Sequence, residues 1–444
     1  MSEHLTASEL EAVLGDEELS PERRREIVCH LARRCQPCQT VLAKVLPGQG
    51  SITLEEDDAY DRVINSSLQW ALRLERHRKD EEDRLRAAAL LAFGEGALAI
   101  AKKGDMPLEG LGVYRALLER SWAVRHDNPR EMVMLAKTAT YLAKDLDPMV
   151  YGEAEVSDYQ SRAWGELGNA QRVANDLWGA QRSFGEAFTF LEKGTGDLLL
   201  RARLHDLHAS LLAAHRKFEL AINGLDVVQS LYLEAGDSHL AGRTLILKAV
   251  YTHRSGRSAE AIELNKLGLS QIDEQREPGL KAWAFHNQVL YLEACGRYPE
   301  AKRLLFENRS RLVGTGRVNE FKLRWAEGRI SLGLKKLDAA EEAFLEVKNG
   351  FLETEQGFAG ALVSLELALA WMHQGKVAEA REVVVEAAGV FSALEIHREV
   401  LGAVQLLNDA FRIDKATVDL VERVVSFLRE WEINPDARFT SPAE

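Results

Sequence analysis

Apolar residues between positions 164 and 187 recur at the spacing of two amphipathic helices. The first half reads Trp-x2-Leu-Gly from Trp164, and the second reads Ala-x3-Phe-x2-Ala from Ala180. Residues three or four apart share one helix face, so each half supplies one apolar stripe. Gly168 and Ala180 are small enough for two helix backbones to approach, while Trp164 and Phe184 fill the space on either side. The pattern predicts a helical hairpin.

The alanine that begins the second half recurs along most of the chain. Intervals of 41, 40, 40, 39 and 40 residues separate six such alanines. A glycine before several of these helices, as at Gly256 and Gly333, marks where the preceding helix is expected to stop. Five near-equal intervals predict a stack of helical hairpins with a period of about 40 residues. The six alanines are Ala180, Ala221, Ala261, Ala301, Ala340 and Ala380.

The hairpin pattern resembles the tetratricopeptide repeat, whose motif begins with Trp-x2-Leu-Gly and continues with Ala-x3-Phe. It departs from that motif at Gln171, where a tyrosine is usual, and it lacks the closing proline. The resemblance implies an all-α solenoid with a concave groove, because stacked repeats bury faces that single repeats cannot. The usual period is about 34 residues. Each helix is therefore expected to be about one turn longer, or each link wider.

By the geometry of such repeats, first-helix positions one turn around from the packing stripe line the groove. Arginine and asparagine there suit the backbone and carboxylate groups of an extended peptide or a partner helix. We therefore expect a protein or peptide partner in the groove, with ordinary surface positions as the alternative for each residue. The positions are Asn169, Arg172, Arg203, Arg243, Asn287 and Arg329.

The first 45 residues carry a different pattern, that of three short helices. Thr6 and Glu9 have the spacing of a capping box, in which each side chain binds a free backbone amide of the other residue. A second helix begins at Pro21 and runs into Cys35-x2-Cys38. Such a small unit has little core, so a bound metal could supply much of its folding free energy.

Four residues in this segment have the chemistry of a closed zinc site. Cys35 and Cys38 can present two thiolates to one tetrahedral ion from a tight turn, and His30 can face the same point. His4, ahead of the first helix, can fold back as the fourth ligand. The sequence therefore predicts a structural site of two histidines and two cysteines.

This segment resembles the zinc-binding anti-sigma factor domain, a zinc-finger-like helical module of bacterial regulators that sequester sigma factors. The shared features are a leading histidine, the phrase LSPERRREIV, and His-Leu followed by Cys-x2-Cys. The resemblance implies that His4, His30, Cys35 and Cys38 bind zinc and that a sigma factor is a partner. The gap between His30 and Cys35 is one residue longer than usual, so Cys29 stays open as a competing ligand.

Two alternatives to this transcriptional role remain open. The chain can be a general interaction scaffold, with the zinc module only as a structural cap. Cys35 and Cys38 can instead act as a redox or metal sensor, because a Cys-x2-Cys pair can cycle through a disulfide. No strand-turn-helix pattern of the thioredoxin type surrounds them. For the metal site itself, the alternative is a helical leader whose cysteines are incidental.

Charge and composition narrow the function further. The net charge of −13 over 444 residues disfavours direct nucleic-acid binding, which needs a basic surface. The best apolar run, 87–101, is interrupted by Glu95 and is shorter than the roughly 20 residues that span a bilayer. The acidic N-terminal residues do not resemble a secretory signal. We expect a cytoplasmic bacterial regulator without a membrane contact.

The sequence shows no pattern of an enzyme. Walker-type loops, Gly-x-Ser-x-Gly elbows, His-Glu-x2-His pairs and dinucleotide fingerprints are missing from it. His205 and His208 share a helix face but lack an obvious third ligand, so they are interpreted as packing or surface residues. A non-enzymatic binding protein is expected.

These patterns predict six segments. They are a zinc module at 1–45, a linker at 46–58, a helical lead-in at 59–125, tetratricopeptide-like repeats at 126–396, capping helices at 397–434 and a frayed tail at 435–444.

Overall fold

The computed structural model describes residues 76–89, 91–92, 110–312, 317–354, 356–394, 398–433 and 437–440, with ten single residues among the first fifty. Within these ranges every regular element is a helix, which confirms the predicted all-α class. The predicted linker at 46–58 and the start of the lead-in lie outside the described residues. The chain divides into two compact units, Met1–Tyr151 and Gly152–Glu444.

The first unit contains a helix over 76–89, α1 (Leu111–Ala123), α2 (Pro129–Lys144) and the single turn α3 (Pro148–Tyr151). Asn128 caps α2 by accepting a hydrogen bond from the backbone amide of Glu131 at 3.1 Å. Gly112 lies against the helix over 76–89. A Cβ atom there would be 2.0 Å from the carbonyl oxygen of Asp80, so only glycine permits this approach.

The second unit is a succession of helical hairpins in which each helix packs mainly on its neighbours in sequence. This arrangement is the predicted helical-hairpin solenoid. Its helices are α4 (Glu153–Val173), α5 (Leu177–Leu191), α6 (Leu198–Ala214), α7 (Phe218–Glu234), α8 (Ser238–Arg254), α9 (Ser258–Gln271), α10 (Pro278–Ala294), α11 (Tyr298–Leu312), α12 (Arg317–Gly333), α13 (Leu337–Glu353), α14 (Gly357–Gln374), α15 (Val377–Ala393), α16 (Arg398–Arg412) and α17 (Val418–Ile433).

Longer helices account for the 40-residue period. Helices α6, α7 and α8 each contain 17 residues. Three-residue turns join them, as at His215–Lys217 between α6 and α7. Two such helices and two such turns make one period, so the links are short and the added residues lie in the helices.

The repeating small residues lie where paired helices touch. All six alanines of the 40-residue series are 0% exposed, which confirms their predicted burial. At Gly168, a Cβ atom would be 2.9 Å from the Phe184 ring and 3.3 Å from the carbonyl oxygen of Ala180. The predicted close approach of α4 and α5 is therefore confirmed, and it depends on the absence of a side chain at Gly168.

Glycines end first helices at some turns, but not by one mechanism. Gly256, Gly296 and Gly375 have φ angles of 87°, 69° and 78°, the left-handed conformation that favours glycine. After α12 the helix ends at Gly333 as predicted, but the left-handed residue is Lys335, with φ at 57°. Gly333 instead makes room for Tyr298, whose ring would lie 2.4 Å from a Cβ atom at that position.

The C-terminal helices differ from the rest of the array because α17 packs on α14 as well as on α16. Residues 437–440 continue this packing. Ala437 is buried, and the Phe439 ring lies 5.3 Å from the Phe427 ring. The expectation of a frayed tail is wrong for these four residues, because an aromatic pair and a buried alanine hold them against α17. None of the described helices has the length and hydropathy needed to cross a bilayer.

Candidate functional site

Three of the four predicted zinc ligands converge in the first unit. His4, His30 and Cys38 have ligand atoms that all lie within 4.8 Å of one another. Cys38 is buried and His30 is half-buried, while His4 is exposed. The fourth predicted ligand, Cys35, and the competing Cys29 lie outside the described residues.

The spacing of these atoms is close to that of a tetrahedral metal site. A thiolate at about 2.3 Å and an imidazole nitrogen at about 2.0 Å from one zinc ion are roughly 3.5 Å apart. Cys38 Sγ and His4 Nδ1 are 3.9 Å apart. The buried Nε2 atom of His30 has no hydrogen-bond partner among the described residues. A ring nitrogen left without a partner next to a thiol has the chemistry of a metal ligand.

The predicted capping box begins two residues after His4. The backbone amide of Thr6 donates to the Glu9 carboxylate at 3.0 Å, and the amide of Glu9 donates to Thr6 Oγ1 at 3.3 Å. Both bonds of the box are present, so this prediction is confirmed. The bond from Thr6, then those from Arg23, lower the pKa of Glu9 to about 2. The carboxylate is therefore ionised at neutral pH and fixes the start of this helix.

In the second unit, charged residues join successive first helices in a ladder. Arg203 on α6 donates from Nε to Glu166 on α4 at 3.1 Å, across 37 residues of sequence. Arg243 on α8 lies 3.8 Å from Asp206 on α6 and 3.5 Å from Glu277 at the start of α10. Equivalent positions in successive repeats are about 40 residues apart. A separation of 37 residues therefore joins positions that differ by roughly one helical turn between the two repeats. We call these five residues the first-helix ladder.

Farther along the array, four charges from four helices form a buried ion cluster: Glu293, Arg329, Glu366 and Arg429. Arg329 Nε and Arg429 Nε each lie 2.8 Å from Glu366 Oε1. Arg429 Nη1 is 3.5 Å from the Glu293 carboxylate. Trp325 Nε1 donates to the other oxygen of Glu366 at 2.5 Å. The cluster ties α17 to the first helices α10, α12 and α14.

The electrostatics of this cluster favour the ionised forms. Glu366 is 2% exposed. Burial alone would raise the pKa of Glu366, but the Arg329 and Arg429 guanidinium groups outweigh burial and lower it below its usual range. For Arg429, burial acts to lower the pKa, while Glu366 and Glu293 raise it to a net higher value. The Glu366 carboxylate and the Arg429 guanidinium therefore remain charged in the folded protein.

A cavity of about 830 Å³ lies beside the ion cluster. Its wall consists of the C-terminal parts of α8, α10 and α12, the turn between α6 and α7, and one face of α17. We call it the arginine cavity. Its charged lining residues are Arg216, Arg254, Glu293, Arg329, Arg429 and Glu430.

The six predicted groove residues do not share one environment. Arg203, Arg243 and Arg329 take part in ion pairs between first helices. Asn169 is buried and accepts a hydrogen bond from Arg172 at 2.8 Å. Asn287 is 9% exposed, and its side-chain nitrogen has no partner in the described part of the chain. Their role in binding a partner stays a prediction.

The His205–His208 pair packs on aromatic rings. Phe188 lies 5.1 Å from the His205 ring and 5.5 Å from the His208 ring. Burial is the main cause that lowers the pKa of both histidines. Asp206, between them in sequence, is directed to Arg243 instead. Both histidines thus serve as neutral packing groups, as expected.

Sequence reasoning missed Glu293, Glu366 and Arg429. Glu366 carried a readable signal, because it interrupts the apolar run Ala361–Ala370 of α14. A lone carboxylate in a fully buried helix requires a cationic partner. Its partners could not be identified from spacing, since Arg429 lies 63 residues away on a helix outside the regular period.

No protein-family model matches the chain, and no curated protein matches it. Solved structures do match. A Rap protein crystallised with competence and sporulation factor superposes with a TM-score of 0.52 at 13% identity, over 73% of this chain and 88% of that one. This likeness shows the fold, a helical-repeat solenoid of the tetratricopeptide-like kind.

Two further structures were found at lower structural similarity. Aspartyl phosphate phosphatase F from Bacillus subtilis has a TM-score of 0.49 at 14% identity, over 88% of this chain and 96% of that one. A signal transduction ATPase with a tetratricopeptide repeat sensor, from Pyrococcus horikoshii, has a TM-score of 0.49 at 14% identity. The match covers 96% of this chain and 63% of the ATPase.

Proposed function

We propose that this protein is a non-enzymatic, cytoplasmic regulatory scaffold. Its first helices bind a protein or a peptide, and its N-terminal module binds zinc and contacts a sigma factor or another transcription component. The first-helix ladder is the observation that carries the binding role. Its arginines are held in fixed positions by carboxylates of neighbouring repeats, so less side-chain entropy is lost when they bind a partner.

The solved structures support the binding role in a general way. The Rap protein that shares this fold was crystallised in complex with competence and sporulation factor. Helical-repeat arrays without a catalytic constellation commonly act by presenting an extended binding surface. The sequence lacks such a constellation, so a binding role is the simplest account of the array.

Arg243 provides the sharpest test of the groove. Its two ion pairs, at 3.8 and 3.5 Å, are longer than the 3.1 Å pair of Arg203. Its guanidinium group therefore has capacity left for a carboxylate or carbonyl of a partner. Affinity capture with the full chain, followed by binding to the purified partner, should show weaker binding for Arg243→Gln. Arg303→Gln, at an exposed site on α11, is the matched control.

Equal binding by both variants and the unchanged chain would contradict the groove assignment. A loss of binding in both variants would indicate a general effect of arginine removal, and would contradict it as well. Weaker binding in Arg243→Gln alone is the expected result.

The zinc module is supported by the convergence of His4, His30 and Cys38. Cys35, three residues before Cys38, would complete a ligand set of two histidines and two cysteines, as in closed structural sites. Full burial of Cys38 favours a structural metal over a redox sensor, since reactive cysteines are partly exposed. The histidines and thiolates would hold the ion, which would stabilise the module as a structural link between its helices.

Zinc content of the purified full chain tests this module. We expect about one zinc ion per chain, lost in Cys38→Ser and retained in Cys295→Ser, whose thiol packs in the repeat array. Retention of zinc by Cys38→Ser, or absence of zinc from the unchanged chain, would exclude the site. Release of zinc by peroxide would point to the sensor alternative.

The sigma-factor contact needs a separate test. A two-hybrid screen of the full chain against the host sigma factors should give an interaction that Cys38→Ser abolishes and Cys295→Ser keeps. If the full chain binds zinc but no sigma factor interacts, the module is a structural cap on a general scaffold.

A further inference from the structure

Two arginines that line the arginine cavity carry hydrogen-bond donors that the described chain does not use. The Nη2 atoms of Arg329 and Arg429 are buried, and neither has a hydrogen-bond partner among the described residues. The remaining guanidinium nitrogens of both residues contact Glu366 and Glu293. Buried guanidinium groups normally satisfy all their N–H donors. These two donors therefore require acceptors from outside the ion cluster.

The charge of the cavity favours an anion as the source of those acceptors. Four arginines line the cavity, against the two carboxylates of Glu293 and Glu430. Glu366 does not line the cavity, but its pairs with Arg329 and Arg429 neutralise part of the arginine charge. An excess of positive charge remains. This local excess stands out in a chain with a net charge of −13. A cleft lined by an excess of cations concentrates anions by focusing the field of those cations.

The size of the cavity favours a small molecule. Its volume of about 830 Å³ lies within the usual range of small-molecule sites, roughly 300–1,000 Å³. Arg254, which is exposed, lines the same cavity as the half-buried residues Arg329 and Arg429. Three guanidinium groups can together surround the oxygens of a carboxylate or phosphate group, with paired hydrogen bonds.

We propose that the arginine cavity binds a small anionic molecule through Arg254, Arg329 and Arg429. The recognised chemistry is a compact set of carboxylate or phosphate oxygens. This site goes beyond the proposed binding of a protein partner and does not depend on it.

Binding of the anion has a structural consequence for the end of the chain. Arg429 is on α17, whereas Arg254 and Arg329 belong to first helices of the array. An anion held by all three strengthens the attachment of α17 to the array. Any ligand that binds only this docked arrangement stabilises it by linkage. The cavity is thus a site at which a small molecule controls how firmly α17 is held.

Isothermal titration calorimetry of the full chain tests the site with two probe anions, pyrophosphate and citrate. We expect saturable binding of at least one, and about tenfold weaker binding in Arg254→Gln, which removes one charge-assisted contact. Arg303→Gln is the matched control and should bind as the unchanged chain does. Binding of pyrophosphate only identifies phosphate as the recognised group, and binding of citrate only identifies carboxylate.

Hydrogen exchange provides a second measurement on the same samples. The bound probe should slow exchange of the α17 amides in the unchanged chain and in Arg303→Gln. The proposal is overturned if neither anion binds saturably, if Arg254→Gln binds as tightly as the control, or if α17 exchange is unaffected. None of these measurements involves a protein partner, so failure here and failure of the scaffold function are distinguishable.

Discussion

Replacing Glu366 by glutamine is the most informative single change in the array. Glu366→Gln preserves the volume of the side chain but removes the negative charge that faces Arg329 and Arg429. Both guanidinium groups have Nε atoms 2.8 Å from the same Glu366 oxygen. The carbonyl oxygen of glutamine can still accept both of these bonds, but the amide nitrogen would replace the other oxygen and face Trp325 Nε1, which is itself a donor. The variant therefore leaves uncompensated positive charge in a site where Glu366 itself is 2% exposed.

The expected loss follows from burial. Removing one partner of a buried ion pair costs about 3–5 kcal/mol of unfolding free energy, because the remaining charge stays desolvated. Removing one partner of an exposed pair costs about 0–1 kcal/mol. Glu300, paired with Arg297 at 2.7 Å on the surface, provides the second case through the same chemical change. Glu366→Gln should therefore be several kcal/mol less stable than Glu300→Gln.

Urea unfolding followed by circular dichroism measures both variants. The pKa of Glu366 is lower in the folded protein than the usual value of 4.5. Its stabilising effect is therefore complete above about pH 4.5 and is lost as the pH falls through the lowered pKa. The difference between the variants should shrink in that acidic range. Equal stability of Glu366→Gln and Glu300→Gln at neutral pH would refute the reasoning.

Three further outcomes are expected. Gly168→Ala should lower the free energy of unfolding in urea by about 1–3 kcal/mol, because its Cβ atom would meet the Phe184 ring at 2.9 Å. Gly185→Ala is the control, because no atom lies within 4 Å of its Cβ position, and it should raise the free energy of unfolding by up to about 1 kcal/mol. Burial lowers the pKa of His253 to about 4 from 6.5, so stability should fall by up to about 3 kcal/mol as the pH drops from 6.5 to 4. His253→Gln should lose that pH dependence, with His126→Gln as the surface control. Phe439→Ala should lower the stability of the chain by about 1–2 kcal/mol in thermal unfolding, and no change would contradict its packing on α17.

Much of the fold could be predicted from the sequence, because it depends on the local spacing of small and apolar residues. The 40-residue series of alanines marks the tightest helix contacts, and all six are fully buried. Only a small residue fits at such a contact, so the position of the contact can be recognised in the sequence. Gly333 shows where this reasoning ends. The helix α12 ends at Gly333 as predicted, but the glycine is small there because the Tyr298 ring of α11 packs against it.

The candidate sites were harder to predict from the sequence, because their charged residues lie on helices that are far apart in the chain. The arginines Arg203, Arg243 and Arg329 were found as groove residues, but their carboxylate partners were not. Pairing depends on the offset between successive helices, which the repeat period does not specify. Arg429 was missed because α17 follows no repeat register. Among the N-terminal residues, a short motif sufficed to identify three side chains that converge.

The attachment of α17 also bears on how the chain folds. In an open solenoid, each repeat contacts only its neighbours, so folding can start anywhere and spread repeat by repeat. The Arg429–Glu366 pair joins residues 63 positions apart and closes a long loop in the second unit. Closing a loop of that length costs chain entropy before the contact forms, which raises contact order and slows folding. Once closed, the C-terminal repeats cannot unravel from their free end one at a time, so they should fold and unfold as one cooperative block.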